Sequence, residues 1–139
     1  MSVVAGQRKQ GKLDVLTKAL RVANYTNQIL ANQNKFDPKY DHVLGDDIKQ
    51  TARNIYKRCW SANNIRVSNT ETFKARAELQ QRAVQDCNEL LILIDMAYGT
   101  YHLPAKRVEF WGRITIEARD LIKKWRAADL ARNKRYDVP

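Results

Sequence analysis

Mostly apolar residues recur at helical spacing along the last quarter of the chain, and this period constrains the fold more than any other feature. Six of them form one stripe: Val108, Trp111, Thr115, Ala118, Ile122 and Trp125. Steps of three and four are typical of an α-helix with one buried side. Ten Lys and Arg side chains surround the stripe between residues 106 and 135. The pattern predicts a helix over residues 104–135 that packs on one side and carries positive charge on the other.

Three further segments, residues 12–31, 44–65 and 68–101, show the same period, and strand-like alternation is absent from the sequence. Ser68 and Glu71 match a capping box, so we expect the third helix to begin there. Pro104 suits the first turn of the fourth helix. Short connections between long amphipathic helices favour antiparallel neighbours. The sequence predicts an all-α fold: an antiparallel up-down four-helix bundle over residues 12–135, with a flexible N-terminal tail (1–11) and a C-terminal tail (136–139).

In one stretch of the predicted third helix, apolar side chains cover more of the helix circumference than the face that packs into a bundle core. Residues 90–94 read Leu-Leu-Ile-Leu-Ile, which is apolar on every side of a helix. Either the bundle surrounds this stretch, or a second surface packs against another subunit. Asp95 follows it directly. It either faces outwards or forms a buried ion pair with an arginine of a neighbouring helix or subunit, because an unpaired buried carboxylate is costly.

The net charge of the chain is +10, from 25 basic and 15 acidic side chains. Such an excess favours polyanionic partners and says nothing about the fold. No window approaches the roughly 18 apolar residues of a transmembrane helix, so we expect no membrane partner. The first residues lack the apolar stretch of a signal peptide, and two cysteines make no disulfide framework. We therefore expect a cytoplasmic protein.

The residues that commonly carry catalysis do not form a recognisable constellation. His42 and His102 lie far apart in sequence and lack metal-ligand spacing. Cys59 and Cys87 fall on apolar stripes, where a free cysteine is usually a small buried hydrophobe. No glycine-rich phosphate loop is present. The sequence predicts a protein that is not an enzyme and has no cofactor and no metal site.

Cationic side chains are therefore the candidate site. Tryptophans can stack on bases, but Trp111 and Trp125 belong to the core stripe and are expected to be packing residues. Trp60 follows the Cys59 ridge and is expected to be partly exposed, either as a surface residue or as a base-stacking one. Binding to phosphates requires clustered cations and no particular motif. The candidate nucleic-acid-binding residues are Arg53, Lys57, Arg58, Arg119, Lys123, Lys124, Arg126, Arg132, Lys134 and Arg135.

Two segments of the chain resemble a known family. They are FDPKYDHVLGDDIKQTARNIYKRCWSANN (residues 36–64) and ELLILIDMAYGTYHLPAKRVEFWGRITIEARDLIKKW (residues 89–125). Both are similar to segments of the accessory variability determinants of diversity-generating retroelements. These belong to a wider group of bacterial four-helix-bundle proteins that includes the proteins encoded in intervening sequences of ribosomal RNA genes. The sequence departs from the family pattern at Asp41-His42 and at Asp95, where relatives often carry arginine, and at Lys123-Lys124, where they often carry Gly-Gly.

The resemblance implies a homopentameric, ring-like assembly of four-helix bundles with a positively charged surface. It also implies association with a reverse transcriptase and its template RNA, in support of mutagenic complementary-DNA synthesis. The expected function is thus a non-enzymatic RNA- or DNA-binding accessory protein. The alternatives are a protein–protein interaction scaffold and a ribosome-associated four-helix-bundle protein.

Overall fold

A computed structural model of the chain describes residues 10–32 and 35–139. It contains four long helices: α1 (Gln10–Leu30), α2 (Asp46–Asn63), α3 (Thr70–Tyr101) and α4 (Ala105–Arg132). No strand occurs within these two described ranges. The all-helical fold with four helices is therefore confirmed. Residues 1–9 of the predicted N-terminal tail lie outside the described residues, and residues 10 and 11 already belong to α1.

Helix ends differ from the expected ones by a few residues, for identifiable reasons. The predicted capping box on Ser68 and Glu71 is wrong, because Asn69 is the N-cap of α3. Its side-chain oxygen accepts from the Thr72 amide at 2.8 Å, and the Thr72 hydroxyl accepts from the Asn69 amide at 3.1 Å. Asparagine and serine are both good N-cap residues. In the structure Asn69, and not Ser68, is the N-cap. Pro104 is likewise the N-cap of α4 rather than its first residue.

Short helical turns lead into and out of the long helices. A 3-10 turn (Pro38–Tyr40) and a π-helical turn (Asp41–Gly45) precede α2, which therefore begins two residues later than the expected residue 44. His102 ends α3 in the left-handed conformation, with φ of 55°. A last 3-10 turn (Lys134–Tyr136) follows α4. His102 therefore lies at a helix end.

Each helix packs against two others, so that the four surround one core. α1 contacts α2 and α4, and α3 also contacts α2 and α4. Trp111 and Trp125 lie in this core, as the sequence predicts, and Trp111 is fully buried. The Trp111 indole donates a hydrogen bond of 2.9 Å to the Thr26 hydroxyl, which joins α4 to α1.

Aromatic rings fill the core around Trp111. The Phe36 ring lies 4.4 Å from that of Tyr101 and 6.3 Å from that of Trp111, measured between centroids. Tyr40 meets Tyr101 edge to face at 5.6 Å. Aromatic pairs at such distances contribute beyond the apolar area they bury. They hold the segment before α2 against α3 and α4.

A polar network occupies a different part of the core, where Gln80 interrupts the apolar stripe of α3. Asp129 of α4 accepts from the Arg76 guanidinium at 2.6 Å and 3.2 Å, and from the Gln80 amide at 2.8 Å. All three side chains are buried. Arg76 also donates to the Ile65 carbonyl at 3.1 Å and lies over the Trp125 ring. Gln80 therefore faces the core, where its side chain donates a hydrogen bond to the carboxylate of the buried Arg76–Asp129 ion pair.

Candidate nucleic-acid interface

One exposed face of α2 combines three cations with a tryptophan. Its members, named here the α2 face, are Lys49, Arg53, Lys57, Trp60 and Asn64. At about 100° per residue they fall within an arc of roughly 80°, and the rise of the helix spreads them over about 22 Å. All are exposed except Lys49, which is half-buried. The α2 face is therefore a continuous strip along one helix.

Positive charge on the α2 face has one acidic neighbour on the same side of the helix, Asp46, which lies one turn before Lys49. Residues 48–70 include no Asp or Glu, so α2 supplies no carboxylate beyond its first turn. Lys49 and Arg53 border a small recess of about 240 Å³. Its other lining residues, at the end of α1 and just after it, are Asn27, Leu30 and Ala31. Within the described ranges, no carboxylate lies within ion-pair distance of Lys49, Arg53 or Lys57.

Arg58 lies on a different side of α2, where it contacts α3. It donates to the Asp86 carboxylate of α3 at 2.6 Å. Burial raises the pKa of Asp86, and the neighbouring Arg58 charge only partly offsets this effect. The structure therefore places Arg58 in an ion pair between helices, away from the α2 face.

Three candidate residues of α4 are likewise held by contacts within the chain. Arg119 donates to the Asn88 side chain at 3.1 Å and to Asp120 at 3.2 Å. Arg126 donates to the Ala77 carbonyl at 3.2 Å. Arg132 donates to Asp129 at 3.1 Å, although its side chain is 57% exposed. These arginines join α4 to α3 or to its own last turn.

The other four candidates lie exposed near the end of α4 and beyond it. Lys123 and Lys124 are on the helix surface, and Lys134 and Arg135 belong to the last 3-10 turn, where Arg135 lies over the Tyr136 ring. The surface of α4 also carries Glu109, Glu117 and Asp120. Glu117 lies 3.9 Å from Lys18 and 3.6 Å from Arg21 of α1. The α4 surface is therefore mixed in sign, unlike the α2 face.

A polar recess at the ends of α2 and α4 brings the two basic helices together. It measures about 420 Å³, and its basic residues are Arg66, Arg76 and Arg132. Asn63 and Asn64 of the α2 end also line it. Asn64 thus belongs to both the recess and the α2 face. Of the ten candidates, the structure brings Arg53 and Lys57 together on α2 and places Arg132 beside the end of that helix.

Lys49, Trp60 and Asn64 complete the α2 face and were absent from the candidate residues. The missing signal is the acid-free stretch of residues 48–70, which is readable in the sequence. Trp60 is 50% exposed, as expected from its position one residue after the core ridge.

The two cysteines and the two histidines lie outside this interface. Cys59 and Cys87 are fully buried, as predicted. Burial raises the pKa of Cys59 to about 12 and also raises the pKa of Cys87. His42 is exposed on the π-helical turn, 4.0 Å from Asp46. Neither thiol is available as a thiolate at neutral pH.

Asp95 and part of the apolar run of residues 90–94 lie on the outer surface of α3. Asp95 is exposed and makes no ion pair with any residue of 14–32 or 35–139. Of the apolar run, Leu90 and Ile94 are buried, whereas Ile92 is 62% exposed. The bundle therefore does not surround residues 90–94.

Comparisons with protein-family models, curated proteins and solved structures gave no match to this chain. Within the described residues, no cluster of three or more His, Cys, Asp or Glu side chains is arranged to hold a metal ion. None of the described helices is both long and apolar enough to cross a membrane.

Proposed function

We propose that the protein is a non-enzymatic, nucleic-acid-binding accessory protein that associates with a retroelement reverse transcriptase and its template RNA. The observation that carries the nucleic-acid part is the α2 face, whose three cations, on a strip about 22 Å long, form no ion pair with any carboxylate of the described residues. The link to a reverse transcriptase rests on the resemblance to accessory variability determinants. Buried free cysteines fit a reducing compartment such as the cytoplasm.

The proposed mechanism is electrostatic. Phosphates bind along the α2 face and release the counterions condensed on the nucleic acid, so that affinity depends on salt more than on sequence. Arg66 adds an exposed cation beyond the end of α2, in the recess where Asp129 engages Arg76 and Arg132. The protein thereby holds template RNA close to the polymerase without taking part in the chemistry.

We also propose an antiparallel up-down bundle that assembles into a ring of subunits, as the resemblance implies. The order of contacts supports the antiparallel arrangement. Arg76, near the start of α3, contacts Asp129 near the end of α4, and Asn88, later in α3, contacts Arg119, earlier in α4. Several copies of a weak phosphate site would multiply its affinity through avidity. Light scattering should then give about 81 kDa for five copies of a 16.2 kDa chain, and a mass of one chain would refute the ring.

Fluorescence anisotropy with a labelled RNA, titrated between about 50 and 200 mM salt, tests the electrostatic mechanism. The triple variant Lys49→Gln/Arg53→Gln/Lys57→Gln should bind more weakly. Its plot of log affinity against log salt should be flatter by about two, since each lost contact to a single strand removes about 0.7 from the slope.

A matched control removes the same charge elsewhere. Lys74→Gln/Lys106→Gln/Arg107→Gln changes three exposed cations of α3 and α4 that lie outside the α2 face. This control should retain most of the affinity and of the salt slope. If both triple variants weakened binding equally, net charge rather than the α2 face would explain the attraction.

A protein-interaction scaffold is the second candidate, and one surface favours it. Leu91 of α3 and Ile116 of α4 line a groove between these helices, and Ile92 and Met96 form a further exposed apolar surface on α3. Ile92 and Met96 lie one turn apart and are 62% and 53% exposed, which is unusual for large apolar side chains. The variant Ile92→Ser/Met96→Ser changes this surface and leaves the α2 face intact. Loss of polymerase association in this variant, together with no binding of labelled RNA by the original protein, would favour the scaffold.

A further inference from the structure

Trp60 differs from the other two tryptophans in its surroundings. Trp111 and Trp125 are buried, whereas half of Trp60 is accessible to solvent. Trp60 lies between Arg53 and Lys57 on one side and Asn64 on the other, along the same strip of α2. Residues three and four apart on a helix are surface neighbours, about 5–6 Å between Cβ atoms. The indole is therefore an exposed aromatic platform with a cation one turn away.

We infer that Trp60 stacks on an unpaired base and that Lys57 and Arg53 hold the adjoining phosphates, which makes the α2 face selective for single-stranded nucleic acid. This inference rests on the proposed binding of nucleic acid and specifies its form. Proteins that bind single strands combine a positive track for the backbone with aromatic rings for the bases. In a duplex the bases stack on each other and present only their edges, so the indole has no free base face to contact.

A second copy of this chain is a poorer occupant of the α2 face. Two α2 faces placed together would oppose the six cations at positions 49, 53 and 57, with only Asp46 of each α2 as a carboxylate on that side of the helix. Like-charge juxtaposition across an interface is costly. A single strand supplies the complementary charge and a ring face in one ligand.

Intrinsic fluorescence reports on this contact, because Trp60 is the exposed member of three tryptophans. A neutral quencher, acrylamide, should reach Trp60 in the free protein, and most of this quenching should disappear in the Trp60→Phe variant. Adding unlabelled oligouridylate of about 16 nucleotides should quench the Trp60 emission and protect it from acrylamide. A duplex RNA with the same number of phosphates should leave the emission nearly unchanged.

Affinity measurements complete the test. Trp60→Ala should weaken binding of the single strand by roughly 5- to 150-fold, the range for loss of one stacked base. It should leave duplex affinity almost unchanged, and Trp60→Phe should retain most of the single-strand affinity. By contrast, Arg53→Gln/Lys57→Gln should weaken both ligands.

Three results would overturn the inference. Equal losses for single strand and duplex in Trp60→Ala would remove the role of stacking. Absence of quenching by oligouridylate, together with weaker binding in the charge variant, would refute stacking while leaving the proposed electrostatic function intact. Acrylamide that failed to reach Trp60 in the free protein would indicate that another copy of the chain covers it.

Discussion

Replacing Asp129 by asparagine removes the negative charge at the centre of the network that joins α3 to α4. The carboxylate accepts from Arg76 at 2.6 Å and 3.2 Å and from Gln80 at 2.8 Å, and its side chain is only 6% exposed. Asparagine has nearly the same shape, but its amide group turns a donor towards donors. The Arg76 guanidinium, with a side chain 9% exposed, then lies buried without its counter-charge.

The expected cost of Asp129→Asn is large. Removing one partner of a buried ion pair typically destabilises a protein by about 3–5 kcal/mol. That is a substantial part of the roughly 5–15 kcal/mol by which a native domain is stable. For a chain of this length the melting temperature should fall by roughly 10–20 °C. Urea unfolding followed by circular dichroism measures the free energy of unfolding directly.

The control is Arg132→Gln, which removes a different contact to the same carboxylate. Arg132 donates to Asp129 at 3.1 Å, but its side chain is 57% exposed and screened by solvent. Its loss should cost at most about 1 kcal/mol. If Asp129→Asn cost no more than Arg132→Gln, the buried network would not stabilise the packing of α3 against α4, and the reasoning would be wrong.

Three further predictions concern the remaining buried groups and one glycine. Because burial raises the pKa of Cys59 to about 12, and also that of Cys87, Ellman's reagent should label neither thiol in the native protein and both in guanidinium; rapid native labelling would contradict this. Because burial raises the pKa of Asp86, its ionised form costs stability at neutral pH, and the cost disappears as the pH falls through the raised pKa towards 3.8. Urea titrations of both proteins give the free energy of unfolding of Asp86→Asn minus that of the original protein. This difference should be more favourable to the variant near neutral pH than at about pH 4. Gly99→Ala should raise the free energy of unfolding by about 0.5–1 kcal/mol in the same assay, since Gly99 is helical and an added Cβ meets no atom within 4 Å.

The number and order of the helices could be predicted from the sequence because the apolar period is a local property of each segment. Helix ends were less certain, since Ser68 and Asn69 are both good N-cap residues and only the backbone conformation decides between them. The role of Gln80 could not be predicted at all. Its partner Asp129 is 49 residues away and becomes a neighbour only once α3 and α4 pack together.

The candidate interface could be predicted in composition but not in arrangement. Sequence alone does not separate Arg58 from Lys57, although Asp86 engages the first and no described residue pairs with the second. Density of positive charge directs attention to α4, which contains eight of the ten cations in the last quarter of the chain. What matters for a polyanion is charge that remains uncompensated after folding. By that measure α2, which has fewer cations but no Asp or Glu after its first turn, offers the better surface.

The hydrogen bond between α1 and α4 provides a test of how a single polar contact contributes within the apolar core. Thr26 and Thr115 are both fully buried, and each hydroxyl donates to the carbonyl four residues earlier, at 2.7 Å and 2.8 Å. Only Thr26 also accepts the Trp111 indole, at 2.9 Å. Thr26→Val has the right shape but leaves that buried indole N–H without an acceptor, which should cost about 1–3 kcal/mol.

Thr115→Val is the matched control for this prediction. It loses only the contact to its own helix, so its free energy of unfolding should change by less than about 1 kcal/mol. In a Trp111→Phe background, which has no indole N–H, Thr26→Val should become nearly as mild as Thr115→Val. Equal losses for the two threonine variants in the original protein would show that the indole bond adds nothing to the packing of α1 against α4.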